Sequence, residues 1–399
     1  MMTFLRNGGI ASNITKMYLF EILTGVVFYG AVMMTFQELQ GLSLSEVFYS
    51  KIGFVMSMAL LEAPTGYFAD VYGRKLSLIV GSVVELIALI LFAFSDSFLL
   101  FLSVDILMGL ALALFSGATS ALVYETLDEE NRATEYQKIW GDMQFYQMVS
   151  MGVSAVIGGW VAHRYGLVYA IYINIPFVLL VLLVTMLLDE PARKKMLVKK
   201  GYSRAFVVNI GKVFKSSKGL QLIVVYSALI YIFNQSIFPA YQHYYTVSGV
   251  DLLYFGVIHA LLQMVAAFSS KYAYRVEHHF GRRNTLLIIP FMVAISYLLM
   301  GTFIGFWSFL FIFLQQFVRG FRAVVVSDYI NQLVGSDQRA TILSMESLFS
   351  KILIAPMLLL WGLSLEFISL AYTMQLLGIV GLLMGLIIWY FIAIKKVIS

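Results

Sequence analysis

Twelve apolar stretches, each long enough to cross a bilayer, constrain this chain more than any other feature. They run roughly 15–38, 46–69, 75–95, 98–123, 136–162, 166–188, 219–243, 250–273, 284–304, 306–332, 340–364 and 367–394. Lipid offers no hydrogen-bond partner to a bare backbone, so each stretch must be helical. Pro64, Pro176, Pro239, Pro290 and Pro356 fall within or near these stretches. Helix bundles in membranes tolerate such prolines as kinks. Only 12% of the 399 residues are charged and 60% are apolar, whereas a soluble domain carries roughly 25% charged residues. That excludes a disordered chain, a disulfide scaffold and an ordinary soluble enzyme. The reading is an all-α membrane protein whose main partner is the lipid bilayer.

The position of charge says more than its sum of +5. Arg74 and Lys75, then Arg132 and Lys138, then Lys271, Arg275, Arg282 and Arg283, then Arg339, and finally Lys395 and Lys396 all fall in alternate connections. Arg164 and Lys51 are the exceptions. By the positive-inside rule both termini face the cytoplasm, as in a multi-pass protein of a bacterial-type cytoplasmic membrane. This basic character reads as topology, not nucleic-acid binding. The N-terminus lacks a short apolar region followed by a small-residue cleavage site, so the first stretch is expected to stay. Residues 189–218 carry nine Lys or Arg and divide the stretches six plus six. Within that connection, 203–214 fits a short amphipathic helix on the membrane surface or a solvated linker. The expected organisation is a bundle over 1–190, a linker over 191–218 and a second bundle over 219–399.

Two short strings recur at a common offset. Gly73-Arg74-Lys75 returns as Gly281-Arg282-Arg283, 208 residues later. Asn131-Arg132-Ala133-Thr134 returns as Gln338-Arg339-Ala340-Thr341, 207 residues later. Each pair occupies the same place in its half, which argues for a duplicated six-helix unit of parallel topology.

The connection between stretches two and three carries Gly66, Asp70, Gly73, Arg74 and Lys75 at the spacing G-x-x-x-D-R-x-G-R followed by R or K, with Val71 in place of the first arginine. With that motif, the span count and the duplication, the whole chain resembles the major facilitator superfamily. The resemblance implies two pseudo-symmetric six-helix bundles and a secondary transporter working by alternating access. It also implies that Gly66, Asp70, Gly73, Arg74 and Lys75 form a conformational latch, with Arg132 and Arg339 at parallel sites. Within the superfamily the drug–proton antiporters look closest. Their helix-five glycine signature falls here on Gly141, Ser150, Ser154, Ala155, Gly158 and Gly159, small at every position but without its proline. Where their fourth helix places an arginine, this chain has Asp105, four residues before Gly109.

An ionisable side chain inside a span is costly, roughly 2.5–3.5 kcal/mol at mid-helix, so each is a functional candidate. Glu21, Asp105 and Asp142 are the candidate proton carriers; ion pairs at a gate or in packing are the plainer reading of such acids. Glu85 reads as a packing or interfacial carboxylate. Asn234, Gln235, His259, Gln263, Arg322 and Lys351 fall near mid-membrane by residue count, opposite aromatic groups such as Tyr29 and Tyr146 from the first half. These are the candidate substrate-binding residues. Phosphate-binding glycine loops, G-x-S-x-G and H-E-x-x-H are all missing from the sequence, so no enzyme, cofactor or metal is expected. The expected function is proton-coupled efflux of a small organic molecule by a monomer. The alternative is proton-coupled transport of an anionic metabolite, motivated by Arg319, Arg322 and Lys351.

Overall fold

A computed structural model of the protein describes residues 12–191, 218–333 and 339–391. Among these residues no strand occurs, and twelve helical segments are long and apolar enough to cross a membrane. We number them spans 1 to 12: Asn13–Ala31, Leu44–Tyr72, Arg74–Ala93, Phe98–Glu129, Ala133–Tyr165, Leu167–Leu187, Gly219–Val247, Leu252–Phe280, Arg283–Thr302, Phe306–Val326, Met345–Phe367 and Leu370–Trp389. The surface helix expected over 203–214 lies outside the described residues. By contacts the chain forms two compact units, one of Met1–Lys195 with Asp251–Leu261 and one of Met196–Val250 with Leu262–Ser399.

Local sequence explains the ends of the helices. Ser43 opens span 2 with a capping box: its hydroxyl accepts from the Glu46 N–H at 3.2 Å, and the Glu46 carboxylate accepts from the Ser43 N–H at 2.8 Å. Span 2 stops at Gly73, with φ 126° and ψ 150°, and span 3 begins at the next residue. Gly281, with φ 76° and ψ 152°, makes the same one-residue turn ahead of Arg282. A side chain is strained at such positive φ, so the repeated glycine of the duplicated motif is a repeated backbone requirement.

Spans 1 and 7 are both interrupted. Span 1 is helical over Asn13–Thr24, leaves the helix at Gly25 and resumes as a 3₁₀ turn at Phe28–Ala31. Its freed backbone donors find side chains from other spans. The Val27 N–H donates to Ser154 Oγ at 3.0 Å and the Phe28 N–H to Asn174 Oδ1 at 2.9 Å. In span 7 the helix Lys218–Gln235 gives way to a 3₁₀ turn at Phe238–Ala240 containing Pro239. Tyr297 donates to the Phe233 carbonyl at 2.6 Å beside this break. Broken backbone at membrane depth is tolerated where protein groups re-satisfy it, as here.

In the first unit span 4 packs along spans 2 and 3. Span 3 buries Leu78, Gly81, Ser82, Ala88, Leu89 and Phe92 on one face, at helical spacing. Its other face exposes Val83, Ile87, Ile90 and Leu91. A helix apolar on both faces suits a lipid surround. In the second unit span 9 packs on span 12, and span 7 on spans 10 and 11.

Candidate functional site

The first unit separates the three candidate proton carriers. Glu21 is 2% exposed, and among the described residues no cation or hydrogen-bond donor meets its carboxylate. Asp105 takes both of its oxygens to Lys51 Nζ, at 2.7 and 2.9 Å, and both side chains are buried. Asp142 is exposed and accepts a hydrogen bond from Tyr18. Tyr146 stands edge-on to Tyr18, with ring centres 6.1 Å apart. Tyr29 lies against Phe92 at 5.6 Å and within electrostatic reach of Glu85 and Asp105.

Asp70, Arg74 and Lys75 of the motif form a compact network, with two partners that the motif does not contain. Arg74 pairs with Asp70 at 2.7 Å and with Glu125 at 3.3 Å. Glu190 accepts from the Arg74 and Lys75 backbone N–H groups at 2.9 and 2.8 Å. A carboxylate there answers the orphan donors and the positive dipole end of span 3. Arg132 is apart from this network: it pairs with Glu130 and Glu135 of its own loop, both at 2.9 Å. Its guanidinium is held above the usual arginine range, first by hydrogen bonds to Glu135 and Glu130. A Cβ on Gly66 would meet nothing within 4 Å, so Gly66 makes no close approach. The side chain of Arg339 lies outside the described residues.

In the second unit the polar candidates divide into two groups. Arg322 donates to Ser227 Oγ at 2.6 Å and pairs with Glu346 at 3.1 Å. Its guanidinium lies over the Tyr231 ring, 4.9 Å from the centre. Ser227 and Ser350 donate to the same Glu346 oxygen at 2.5 and 3.1 Å. This is a closed ion-pair cluster joining spans 7, 10 and 11.

The second group is more open. Arg319 donates to Gln263 Oε1, and among the described residues no carboxylate pairs with it. The neighbouring Gln316 is 4% exposed; its amide donates to the Tyr241 hydroxyl at 3.4 Å while its Oε1 has no partner. Asn234 donates to the Gln315 carbonyl and side chain at 2.6 and 2.9 Å, which occupies its amide. Gln235 and Lys351 are half-buried on spans 7 and 11. His259 belongs by contacts to the first unit, with Asp251–Leu261.

Sequence reasoning missed Glu190, Glu125, Ser227 and the role of Lys51. Lys51 was legible: seven residues past Leu44, it is already inside span 2 rather than in a connection. Ser227 carries no signal in a chain with many span serines.

Residues 17–298 match the Major Facilitator Superfamily. A curated relative, the uncharacterized MFS-type transporter MJ1560 of Methanocaldococcus jannaschii, is 23% identical over 153 residues, 38% of this chain and 39% of its own length. The chain therefore spans well under half of that relative in the match. Among solved structures, the nucleoside transporter NupG superposes with a TM-score of 0.75 at 13% identity, over 97% of this chain and 99% of that one. A D-xylose–proton symporter gives 0.73 at 16% identity, over 95% and 98%. The xylose transporter XylE from E. coli, in an inward-open conformation, gives 0.67 at 15%, over 96% of each chain. At these identities the superpositions establish the fold, twelve spanning helices of the major facilitator kind. With the sequence match covering well over half of its length, this chain belongs to the Major Facilitator Superfamily.

Proposed function

We propose that the protein is a secondary active transporter that moves a small organic molecule by alternating access, coupled to protons, with efflux as the direction. The observation that carries proton coupling is Glu21: a carboxylate buried in span 1 beside its break, with no cation or donor among the described residues to hold it ionised. Burial without a partner favours the neutral acid, so such a group takes up a proton and releases it when water or a cation arrives. Asp105 is less suited to that work, because Lys51 already holds its charge. The resemblance to drug–proton antiporters and the small residues along span 5 support efflux. A proton gradient imposed on proteoliposomes should drive movement of at least one member of a panel of lipophilic cations, neutral organic molecules and small carboxylates. Glu21→Gln should abolish gradient-driven accumulation while unlabelled substrate still exchanges for labelled. Accumulation unchanged in this variant would remove Glu21 from the coupling role.

A second reading, transport of an anionic metabolite, is favoured by Arg319, which has an amide rather than a carboxylate as its partner. A buried cation is stabilised when an anion reaches it. By sequence Arg322, not Arg319, falls among the candidate substrate-binding residues and both are candidate cations for an anion, but Glu346 already neutralises Arg322. A bound anion at about 100 times its Kd stabilises the folded state by about 2.7 kcal/mol. Succinate or inorganic phosphate should therefore raise the melting temperature of the wild type and leave Arg319→Gln unmoved. Equal shifts in both proteins would rule out Arg319 as the anchor.

A further inference from the structure

Lys51 and Arg164 lie away from the basic connections. Lys51 is accounted for by its buried pairing with Asp105. Arg164 is not. It stands at the end of span 5, on the side of the membrane opposite Arg74 and Arg132, and it is exposed. Among the described residues no carboxylate pairs with it. The C-terminal end of the helix supplies only partial negative charge. A cation there runs against the positive-inside bias and calls for an anion that the described residues do not supply. Asp251 is not that anion: its Oδ1 is taken by His163 Nδ1 at 3.2 Å and by the Leu253 N–H at 2.8 Å.

Spans 5 and 8 meet on a ridge of small residues that His163 and Asp251 close at its end. A Cβ on Gly256 would run into the Ala155 carbonyl, so the two helices touch backbone to backbone. Beside this ridge lies a groove of about 570 Å³, lined by Val156, Ile157 and Trp160 of span 5 and Leu253, Tyr254 and Val257 of span 8, all in the first unit. These side chains offer two polar groups, the Trp160 indole N–H and the Tyr254 hydroxyl. Neither has a hydrogen-bond partner among the described residues.

Helical register sets Arg164 at the head of the groove. It follows Trp160 by four residues and Ile157 by seven, the spacing of one helix face. Val153 and Val149 continue that face inward, and both are exposed. From Trp160 to Val149 is about 16 Å at 1.5 Å per residue, close to one leaflet of a core about 30 Å thick. The face thus presents a cation, then an amphipathic ring, then an aliphatic track of a leaflet's depth. That is the order of a phospholipid: phosphate, glycerol and acyl chain. A water-soluble anion would match only the cation, and a crossing helix only the track.

We propose that this groove binds one anionic phospholipid, with its phosphate on Arg164, Tyr254 alongside and an acyl chain laid over Trp160. A net negative headgroup suits a single cation better than a zwitterionic one, whose own ammonium competes for the phosphate. The site is independent of what the protein transports, so it stands or falls separately from the proposed activity.

Quenching of tryptophan fluorescence by brominated acyl chains tests it in the full chain reconstituted into vesicles. The signal of Trp160 is the difference between the wild type and Trp160→Phe. Vesicles mix phosphatidylglycerol with phosphatidylcholine, with bromine on one lipid at a time. Trp160 should select phosphatidylglycerol about five-fold, the weight of one basic group at a charged membrane surface. Arg164→Gln should bring that ratio to about one without changing the melting temperature, because the side chain is exposed. Arg164→Lys, which keeps the charge, should keep the preference. Equal quenching by the two lipids in the wild type would overturn the proposal, and so would a preference that survives Arg164→Gln. Trp160 fluorescence untouched by either brominated lipid would show protein over the groove, a second copy or another helix, and would overturn it as well.

Discussion

Glu346→Ala is expected to destabilise the protein by about 3–5 kcal/mol, because it leaves the Arg322 guanidinium buried without its countercharge. The Arg322 and Glu346 side chains are only 16% and 11% exposed, so solvent does little to screen either charge once its partner is gone. Ser227 Oγ at 2.6 Å and the Tyr231 ring at 4.9 Å remain near Arg322, but neither carries a negative charge. Arg322→Met alone should cost a similar amount, since it strands Glu346 with only the Ser227 and Ser350 hydroxyls. The double variant Arg322→Met with Glu346→Leu should recover most of the loss, because replacing both partners removes the desolvation cost as well as the attraction. Unfolding of the purified protein in mixed micelles by increasing sodium dodecyl sulfate measures all four proteins. Additive losses in the double variant would show that the two side chains act separately. The same experiment separates Arg322 from Arg319: the first should be lost as stability, the second as anion binding.

The fold was readable because its strongest determinants are long and local. A stretch of apolar residues the thickness of a bilayer leaves the backbone one choice, and the chain has twelve. The glycines at 73 and 281 were readable as a repeat, and the reason they repeat is a positive φ at both turns. The sites were less readable because charge compensation is a property of pairs distant in sequence. Asp105 and Glu21 look alike as acids in spans. Only packing shows that one meets Lys51, 54 residues earlier, and that the other is buried with no cation or donor at its carboxylate among the described residues. Arg319 and Arg322 are three residues apart, yet Glu346 reaches only the second. Glu190 was hidden for a different reason: it lies at the edge of the basic connection, where its charge reads as part of a solvated loop rather than as the cap of span 3.

The small residues of span 5 show how a loosely matched motif acquires a physical meaning. Ser150, Ser154, Ala155, Gly158 and Gly159 are small enough to let another helix approach, but the sequence does not indicate which one. Much of that face turns out to receive the break in span 1. Ser154 accepts the Val27 N–H, and a Cβ added to Gly158 would stand 2.5 Å from the Phe28 carbonyl carbon and closer still to its oxygen. A Cβ on Gly159 would lie 2.9 Å from the Gly256 nitrogen, so the same ridge also seats the start of span 8. Gly158→Val is therefore expected to cost at least about 3 kcal/mol, at the upper end of what overpacking produces, because backbone rather than a side-chain tip must move. Displacing Phe28 also breaks its 2.9 Å bond to Asn174, and a buried N–H left without a partner costs about 1–3 kcal/mol more. Gly141→Ala and Gly152→Ala on the same helix are the controls: a Cβ at either meets nothing within 4 Å, so both should stay within about 0.5 kcal/mol of the wild type. Melting temperatures of the detergent-solubilised proteins decide the matter. Gly158→Val melting with the controls would mean that the break in span 1 does not depend on span 5 for its position, and that Ser154 and Asn174 hold it by hydrogen bonds alone.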